Sequence, residues 1–257
     1  MTDYSTVTET PGVKASAEQI ERLYHRYHFA RQFCQSKDVL EVACGAGQGL
    51  GYLATVARSV AGTDIDEKCL AYARKTYADR PAIVIQQMDA QSPSFGDVSF
   101  DVVILYEAIY YLEHPENFID NSYRMLRKGG ALLICSVNRE WTDFNPSPYS
   151  KRYFSAKELY DLLKARFAEV QISAAFSDEP DSLKEKIVSS IKRTAVALHI
   201  IPKTMKGKEL LKRVFFGRLA PLPAEVREDM AGYTPPSSVG LDTPDLHHKV
   251  IYAAATK

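Results

Sequence analysis

Val39-Leu40-Glu41-Val42-Ala43-Cys44-Gly45-Ala46-Gly47-Gln48-Gly49 is the stretch whose reading decides the rest of the chain. A short apolar run with one acid inside it breaks into three glycines at alternate positions. A helix-compatible segment follows over 50–58. That pattern is strand, tight turn, helix. Glycine accepts left-handed backbone and lets a ligand come close. A helix N-terminus behind such a turn offers unpaired N–H groups and a positive dipole end. The outline is that of a nucleotide-type cofactor site.

Outward from this stretch the pattern repeats. Residues 59–66 form a short strand ending in Asp64 and Asp66, and Asp66 is placed to cap a helix over 67–77. Residues 82–87 are a third strand, closed by Met88-Asp89-Ala90. The run Phe100-Asp101-Val102-Val103-Ile104-Leu105 is nearly all apolar, as a buried parallel strand is. A helix over 115–127 starts on Pro115 and is stopped by Lys128-Gly129-Gly130, and 131–137 is a fifth strand. Alternating strands and helices imply βαβ units and right-handed crossovers. The fold class is therefore α/β, a doubly wound, Rossmann-like sheet with ligands at the carboxyl ends of its strands.

Before the core, Ser16-Ala17-Glu18-Gln19 is a capping box, which opens a helix to about Cys34; residues 1–15 read as loosely attached. That helix carries Tyr24, His25, Arg26, Tyr27 and His28. It is either an ordinary amphipathic helix or a lid whose aromatic and arginine groups, Tyr27 among them, face a cofactor. After the fifth strand comes a loop with Trp141, Phe144 and Tyr149. A second capping box at Ser155, a helix to about Arg166, a strand over 169–176 and a last strand over 249–255 complete the core. The organisation is an arm and lid helix over 1–37, a core over 38–176 with 249–257, and a helical, basic insertion over 177–248. Ten Lys and Arg residues face only Glu185 and Glu209 between positions 183 and 219. The insertion is either a solvated cap or a basic surface for a phosphorylated substrate or an anionic membrane.

At 257 residues, 46% hydrophobic and 25% charged, the composition is that of a globular protein, and the formal net charge of zero points to no nucleic-acid partner. No apolar run reaches the roughly 18 residues of a membrane span. The N-terminus is polar and unlike a signal peptide. Cys34, Cys44, Cys69 and Cys135 lack metal spacing, so no metal site is expected and the thiols read as reduced and cytoplasmic.

The cofactor narrows from here. The turn is G-x-G-x-G rather than the dinucleotide G-x-G-x-x-G, and no phosphate-loop Gly-Lys-Ser/Thr is present. Asp64 ends the second strand, where a carboxylate can accept both ribose hydroxyls, and Asp89-Ala90 can receive an adenine amino group. The segments Glu41–Gly49, Gly62-Thr63-Asp64-Ile65, Asp89-Ala90, Phe100–Ile104 and Arg124–Gly130, in this order, resemble the motifs of class I S-adenosylmethionine-dependent methyltransferases. The nearest flavour is the type 11 group with its small-molecule and sugar-pathway members; Glu113-His114 fits that group's acid–histidine pair, while the usual Lys-Pro-Gly-Gly turn lacks its proline.

The resemblance implies a seven-stranded, mostly parallel sheet with an antiparallel last strand, S-adenosyl-L-methionine as cofactor, and transfer of its methyl group to a hydroxyl or amine of a small molecule. A sugar or glycan precursor is the preferred acceptor; a quinone or lipid acceptor at a membrane surface, and a non-catalytic binding module, are the alternatives. It further implies that Ala43, Gly45 and Gly47 leave backbone open to the methionine part, that Glu41 orients its amino group, that Asp64 binds ribose, that Ile65 packs on adenine, and that Asp89 and Ala90 hold the adenine edge. Tyr106 and Glu107 follow strand four, where the methyl group points. A hydroxyl or ammonium acceptor must lose a proton, and His114, Glu107, Tyr110 and Tyr111 are the candidates to take it or orient the acceptor. The Trp141 loop is the candidate acceptor wall.

Overall fold

The computed structural model describes residues 8–147, 149–177 and 219–257. In chain order the elements are β1 (Lys14–Ala15), α1 (Ala17–Arg31), β2 (Asp38–Val42), α2 (Leu50–Ala54), β3 (Ser59–Asp64), α3 (Glu67–Thr76), β4 (Ile83–Gln87) and β5 (Phe100–Tyr106). A 3-10 turn (Ile109–Tyr111), α4 (Pro115–Met125), β6 (Leu126–Val137), α5 (Ala156–Lys164), β7 (Glu169–Ser177), β8 (Ala220–Pro221), β9 (Ser237–Ser238) and β10 (His248–Thr256) follow.

The main sheet has the order β4-β3-β2-β5-β6-β10-β7-β9. Strands β4 to β6 run parallel, and β10 lies antiparallel between β6 and β7. The seven expected strands are all present; the eighth, β9, is a two-residue pairing on β7. After β2 the chain builds outward through β3 and β4, then returns to place β5 on the other side of β2. That reversal opens a crevice at the carboxyl ends of β2 and β5.

Strand β5 shows why the sheet is doubly covered. Val102, Ile104 and Tyr106 join one apolar cluster with Leu23, Leu50 and Leu70 of the first three helices. Val103 and Leu105 point the other way, onto Phe118, Leu159 and Leu163 of α4 and α5. Complete burial of Phe118 makes its truncation to Ala cost about 3–5 kcal/mol.

Both capping boxes form: the Ser16 hydroxyl accepts from Gln19 N–H, and the Ser155 hydroxyl from Glu158 N–H. Several local readings differ from expectation. Helix α2 ends at Ala54 rather than near Arg58. Helix α4 ends at Met125, before the Lys128-Gly129-Gly130 signal, because Leu126 turns extended and pairs with Phe100 of β5. Sheet pairing there overrides a locally acceptable helix. The N-terminal arm is not loose from Thr8 onward: Lys14 and Ala15 pair with Pro221 and Ala220.

The helices expected over 187–201 and 210–219 fall outside the described residues except at Leu219, as do all ten Lys and Arg residues counted between positions 183 and 219. Its described end, 219–248, contains no helix. It is a strap laid back over the core. Leu222 and Val226 are buried, Glu225 holds Arg80 through two hydrogen bonds, and Glu228 accepts from Tyr24 and Tyr52. His25 contacts the carbonyl of Thr234 at 2.7 Å. Among the described residues no helix is long and apolar enough to cross a membrane.

Candidate functional site

A cavity of about 360 Å³ lies at the carboxyl ends of β2, β3, β4 and β5, under α1. Its volume is that of a small-molecule site. Two non-glycine residues that line it, Ala43 after β2 and Glu107 after β5, have left-handed backbones with φ of 55° and 51°. Such conformations cost on the order of 1 kcal/mol each and concentrate at functional sites.

The glycine turn divides its work. Gly45 lines the cavity with φ of 55°, and its N–H donates to Asp64 Oδ2 at 2.8 Å. Gly47 and Gly49 face protein instead of cavity. A Cβ on Gly47 would stand 2.7 Å from that of Ala73 in α3, and a Cβ on Gly49 would enter the Tyr27 ring. Close packing of helices on the turn, not only ligand approach, therefore demands these glycines.

Asp64 closes β3. Its Oδ1 accepts from the Asp66 N–H at 2.8 Å, while Asp66 caps α3 by accepting from Lys68 N–H. Burial pushes the Asp64 carboxyl up, and the N–H donors of Asp66 and Gly45 oppose that rise. The result is a carboxylate oriented by backbone, with lone pairs left for a ligand. Ile65, Met88, Asp89 and Ala90 line the same end, and the Asp89 Oδ1 also accepts from Gln91 N–H in a local turn.

Glu41 sits in the floor, 1% exposed. The Tyr27 hydroxyl donates to its Oε1 at 2.7 Å, whereas its Oε2 is buried without a partner. Burial raises the Glu41 carboxyl to about 7, against the pull of Tyr27 and Arg26. The Tyr106 hydroxyl beside this group is also buried and unpartnered.

The opposite end is built around Glu107. Its Oε1 accepts from Arg22 Nη2 at 3.2 Å and its Oε2 from the Tyr110 hydroxyl at 3.1 Å. The carboxylate is thus fixed by α1 on one side and the 3-10 turn on the other. Tyr110 stacks on Tyr153 at 4.3 Å and Tyr111 shares a hydrogen bond with Ser147, so the loop after β6 supports this turn from behind. Tyr111, Leu112, Ala108 and Val137 complete an aromatic and apolar wall.

The cavity thus gathers Tyr27, Glu41, Ala43, Gly45, Asp64, Ile65, Asp89, Ala90, Tyr106, Glu107 and Tyr110 from the residues singled out in the sequence. Two of those residues stay outside it. Gly47 serves the packing just described. His114 has a side chain 61% exposed at the start of α4, with Nδ1 3.4 Å from Glu116 and no capping bond to the helix. Trp141, Phe144 and Tyr149 do not line the cavity either; Phe144 packs on Tyr153 and the Lys249 ammonium lies over Trp141. Sequence reading missed Arg22, Gln19, Thr8 and Glu9. The spacing of 19, 22 and 26 on a capped helix carried the signal for the first two; nothing local marked the arm residues.

Residues 40–134 match the family described as Methyltransferase domain. A relative from Mycolicibacterium smegmatis described as a "Probable S-adenosylmethionine-dependent methyltransferase" is 34% identical over 157 residues, 59% of this chain and 56% of that protein. Phthiotriol/phenolphthiotriol dimycocerosates methyltransferase 1 of Mycobacterium ulcerans is 33% identical over 127 residues, 49% of this chain and 44% of the relative. The chain thus spans about half the length of the curated relatives it matches. A solved S-adenosylmethionine-dependent methyltransferase from Archaeoglobus fulgidus shares the fold, with a TM-score of 0.57 at 17% identity over 95% of both chains. Residues 40–134 are therefore similar to a methyltransferase domain, and the chain shares the fold of solved methyltransferases.

Proposed function

We propose that the protein is an S-adenosylmethionine-dependent methyltransferase acting on a hydroxyl or amine of a small molecule. One observation carries the reading. A single cavity holds a backbone-oriented carboxylate at the end of β3 and, in its floor, a buried carboxylate oxygen, Glu41 Oε2, that no protein group satisfies. Such an oxygen is costly unless a ligand donor meets it.

The residues present fit an adenosyl amino acid. Asp64 would accept the ribose hydroxyls, Ile65 and Met88 would flank adenine, and Asp89 and Ala90 would hold its edge. Ala43 and Gly45 would leave backbone open to the methionine part, and Glu41 would receive its amino group. Bound there, the cofactor supplies an electrophilic methyl group on a good leaving group. The chain contributes placement and a proton acceptor. Glu107, fixed at both oxygens and set next to Tyr106, is the group to take the acceptor's proton, with Arg22 and Tyr110 holding it.

Two acceptor classes follow. The resemblance to small-molecule and sugar-pathway enzymes supports a sugar or glycan hydroxyl. The relatives named for phthiotriol dimycocerosates, together with the Tyr111, Leu112 and Val137 wall, support a lipid-like alcohol. Incubation with methyl-labelled S-adenosylmethionine, sugar and lipid fractions, followed by phase separation and charcoal removal of unreacted cofactor from the aqueous phase, distinguishes them: product label stays in the aqueous phase for the first and enters the organic phase for the second. Binding of the cofactor with no label in either phase would leave a non-catalytic module. Absence of binding would overturn the whole reading.

A further inference from the structure

Helix α1 presents two polar faces. Tyr24, His25 and His28 meet the strap and the last strand, while Gln19, Arg22, Arg26 and Tyr27 line the cavity. Arg22 is engaged by Glu107. Arg26 is different. It is 8% exposed and holds one carboxylate oxygen, Glu9 Oε2, through one nitrogen, Nη2, at 2.5 Å. Its Nε is buried and has no partner. A guanidinium offers a planar fork that suits a carboxylate at two points, so a one-point contact leaves recognition capacity unused.

The surroundings point to the ligand. Among the described residues four buried side-chain atoms lack a partner, and three of them, Arg26 Nε, Glu41 Oε2 and Tyr106 OH, belong to residues lining this cavity. One is a cationic donor and one a carboxyl acceptor. Tyr27 joins them: the Arg26 Cζ lies 5.6 Å from its ring centre, and its hydroxyl bonds Glu41. A donor over the ring and an acceptor at its hydroxyl are the complement of an α-amino acid, whose ammonium and carboxylate share one carbon.

We propose that Arg26 receives the carboxylate of the cofactor's amino-acid end, and that Glu9 is the internal carboxylate occupying Arg26 until the cofactor arrives. The assignment rests on the cofactor reading above. Glu9 is suited to the part because its segment is anchored nearby: the Gly12 N–H donates to the Leu222 carbonyl, and β1 pairs with β8. Exchange of one carboxylate for another then leaves Arg26 charged and paired in both states, which avoids a buried lone cation.

The test compares S-adenosylhomocysteine with its decarboxylated analogue by calorimetry on the full chain. The wild type is expected to favour the former by about tenfold or more. Arg26→Gln should weaken S-adenosylhomocysteine by about ten- to a hundredfold and leave the analogue unchanged, which also shows that the variant is folded. Glu9→Gln, which removes the competing charge, should tighten S-adenosylhomocysteine selectively. Equal affinities of the wild type for both ligands, an equal loss of both in Arg26→Gln, or weaker S-adenosylhomocysteine binding in Glu9→Gln would each overturn the assignment. The wild-type and Glu9→Gln measurements stand even if Arg26→Gln fails to fold. If the wild type binds neither ligand nor 5′-methylthioadenosine, the cofactor reading itself fails, and Arg26 loses its role with it.

Discussion

Asp38 and Glu41 stand on the same five-residue strand, β2, and their carboxyls are held in opposite ways. Asp38, at the amino end, accepts from Arg58 Nε at 2.8 Å, from the Ser59 hydroxyl and from Arg127 Nη1, and Arg127 also reaches Asp101. The hydrogen bonds from Arg58 hold the Asp38 carboxyl well below the usual carboxylate range. Glu41, at the carboxyl end, has one partner and one bare oxygen, and burial lifts it to about 7. At one end of the strand every charge is answered by protein. At the other, polar atoms are held dry and incomplete. Stability is invested at the first end and ligand capacity at the second, which is where perturbed carboxyls belong in a functional site.

The largest effect that could break this division lies in catalysis. Glu107→Gln should lower methyl transfer by about 10²–10⁴-fold while leaving S-adenosylhomocysteine affinity unchanged, as a kinetic and calorimetric pair of measurements reads directly. His114→Ala should change neither, because its side chain stands outside the cavity; a loss comparable to that of Glu107→Gln would return the proton acceptor to His114.

Next comes Asp64→Ala, which would remove the two charge-assisted bonds proposed for the ribose and should weaken S-adenosylhomocysteine by about 100-fold. The matching change at the other end of the sheet, Asp38→Asn, should leave that affinity untouched. Equal losses from both would erase the distinction between the two ends.

Glu41→Gln sharpens the comparison through stability. The folded carboxyl, at about 7 against an ordinary 4.5, keeps a proton that the unfolded chain releases between those values. Stability contributed by this group is therefore full below about 4.5 and lost as pH rises to about 7. The glutamine, which still accepts from Tyr27, should gain up to about 3 kcal/mol at pH 8 and almost nothing at pH 4.5, in urea unfolding curves. A pH-independent gain would contradict the raised carboxyl.

Asp38→Asn is the smallest effect and has the opposite sign. A depressed carboxyl stabilises above the unfolded value near 4 and loses that contribution as pH falls. For these partly solvated ion pairs the loss at pH 7 should be about 1 kcal/mol, or about 2–4 °C in thermal melting, and it should shrink below pH 4.

How much of this was legible in the sequence follows from the range of each interaction. The strand runs, the Ser16 and Ser155 capping boxes and the acids following β3 and β4 are local patterns, and the structure carries them apart from the early start of β6 at Leu126. Arg22 meets Glu107 across 85 positions, and Tyr24 meets Glu228 across 204, so no window of sequence joins them. The strap is invisible for the same reason: its hold on the core comes from Leu222, Val226 and Glu225, residues with no periodicity of their own. His114 stands apart from the cavity at the start of α4, with a mostly exposed side chain beside Glu116, which its place next to Pro115 in the sequence did not show. Gly47 and Gly49 carry a second reason that no local pattern displays, the packing of α3 and α1 on the turn.

The most direct test of the central claim is proton release on ligand binding. S-adenosylhomocysteine titrated into the wild type at pH 7, in buffers of different ionisation enthalpy, should bind with release of a proton fraction as its ammonium drives Glu41 to the charged form. Glu41→Gln should bind more weakly and release none. Binding without proton release in the wild type, or the same release from both proteins, would contradict Glu41 as the waiting carboxylate of a cofactor site.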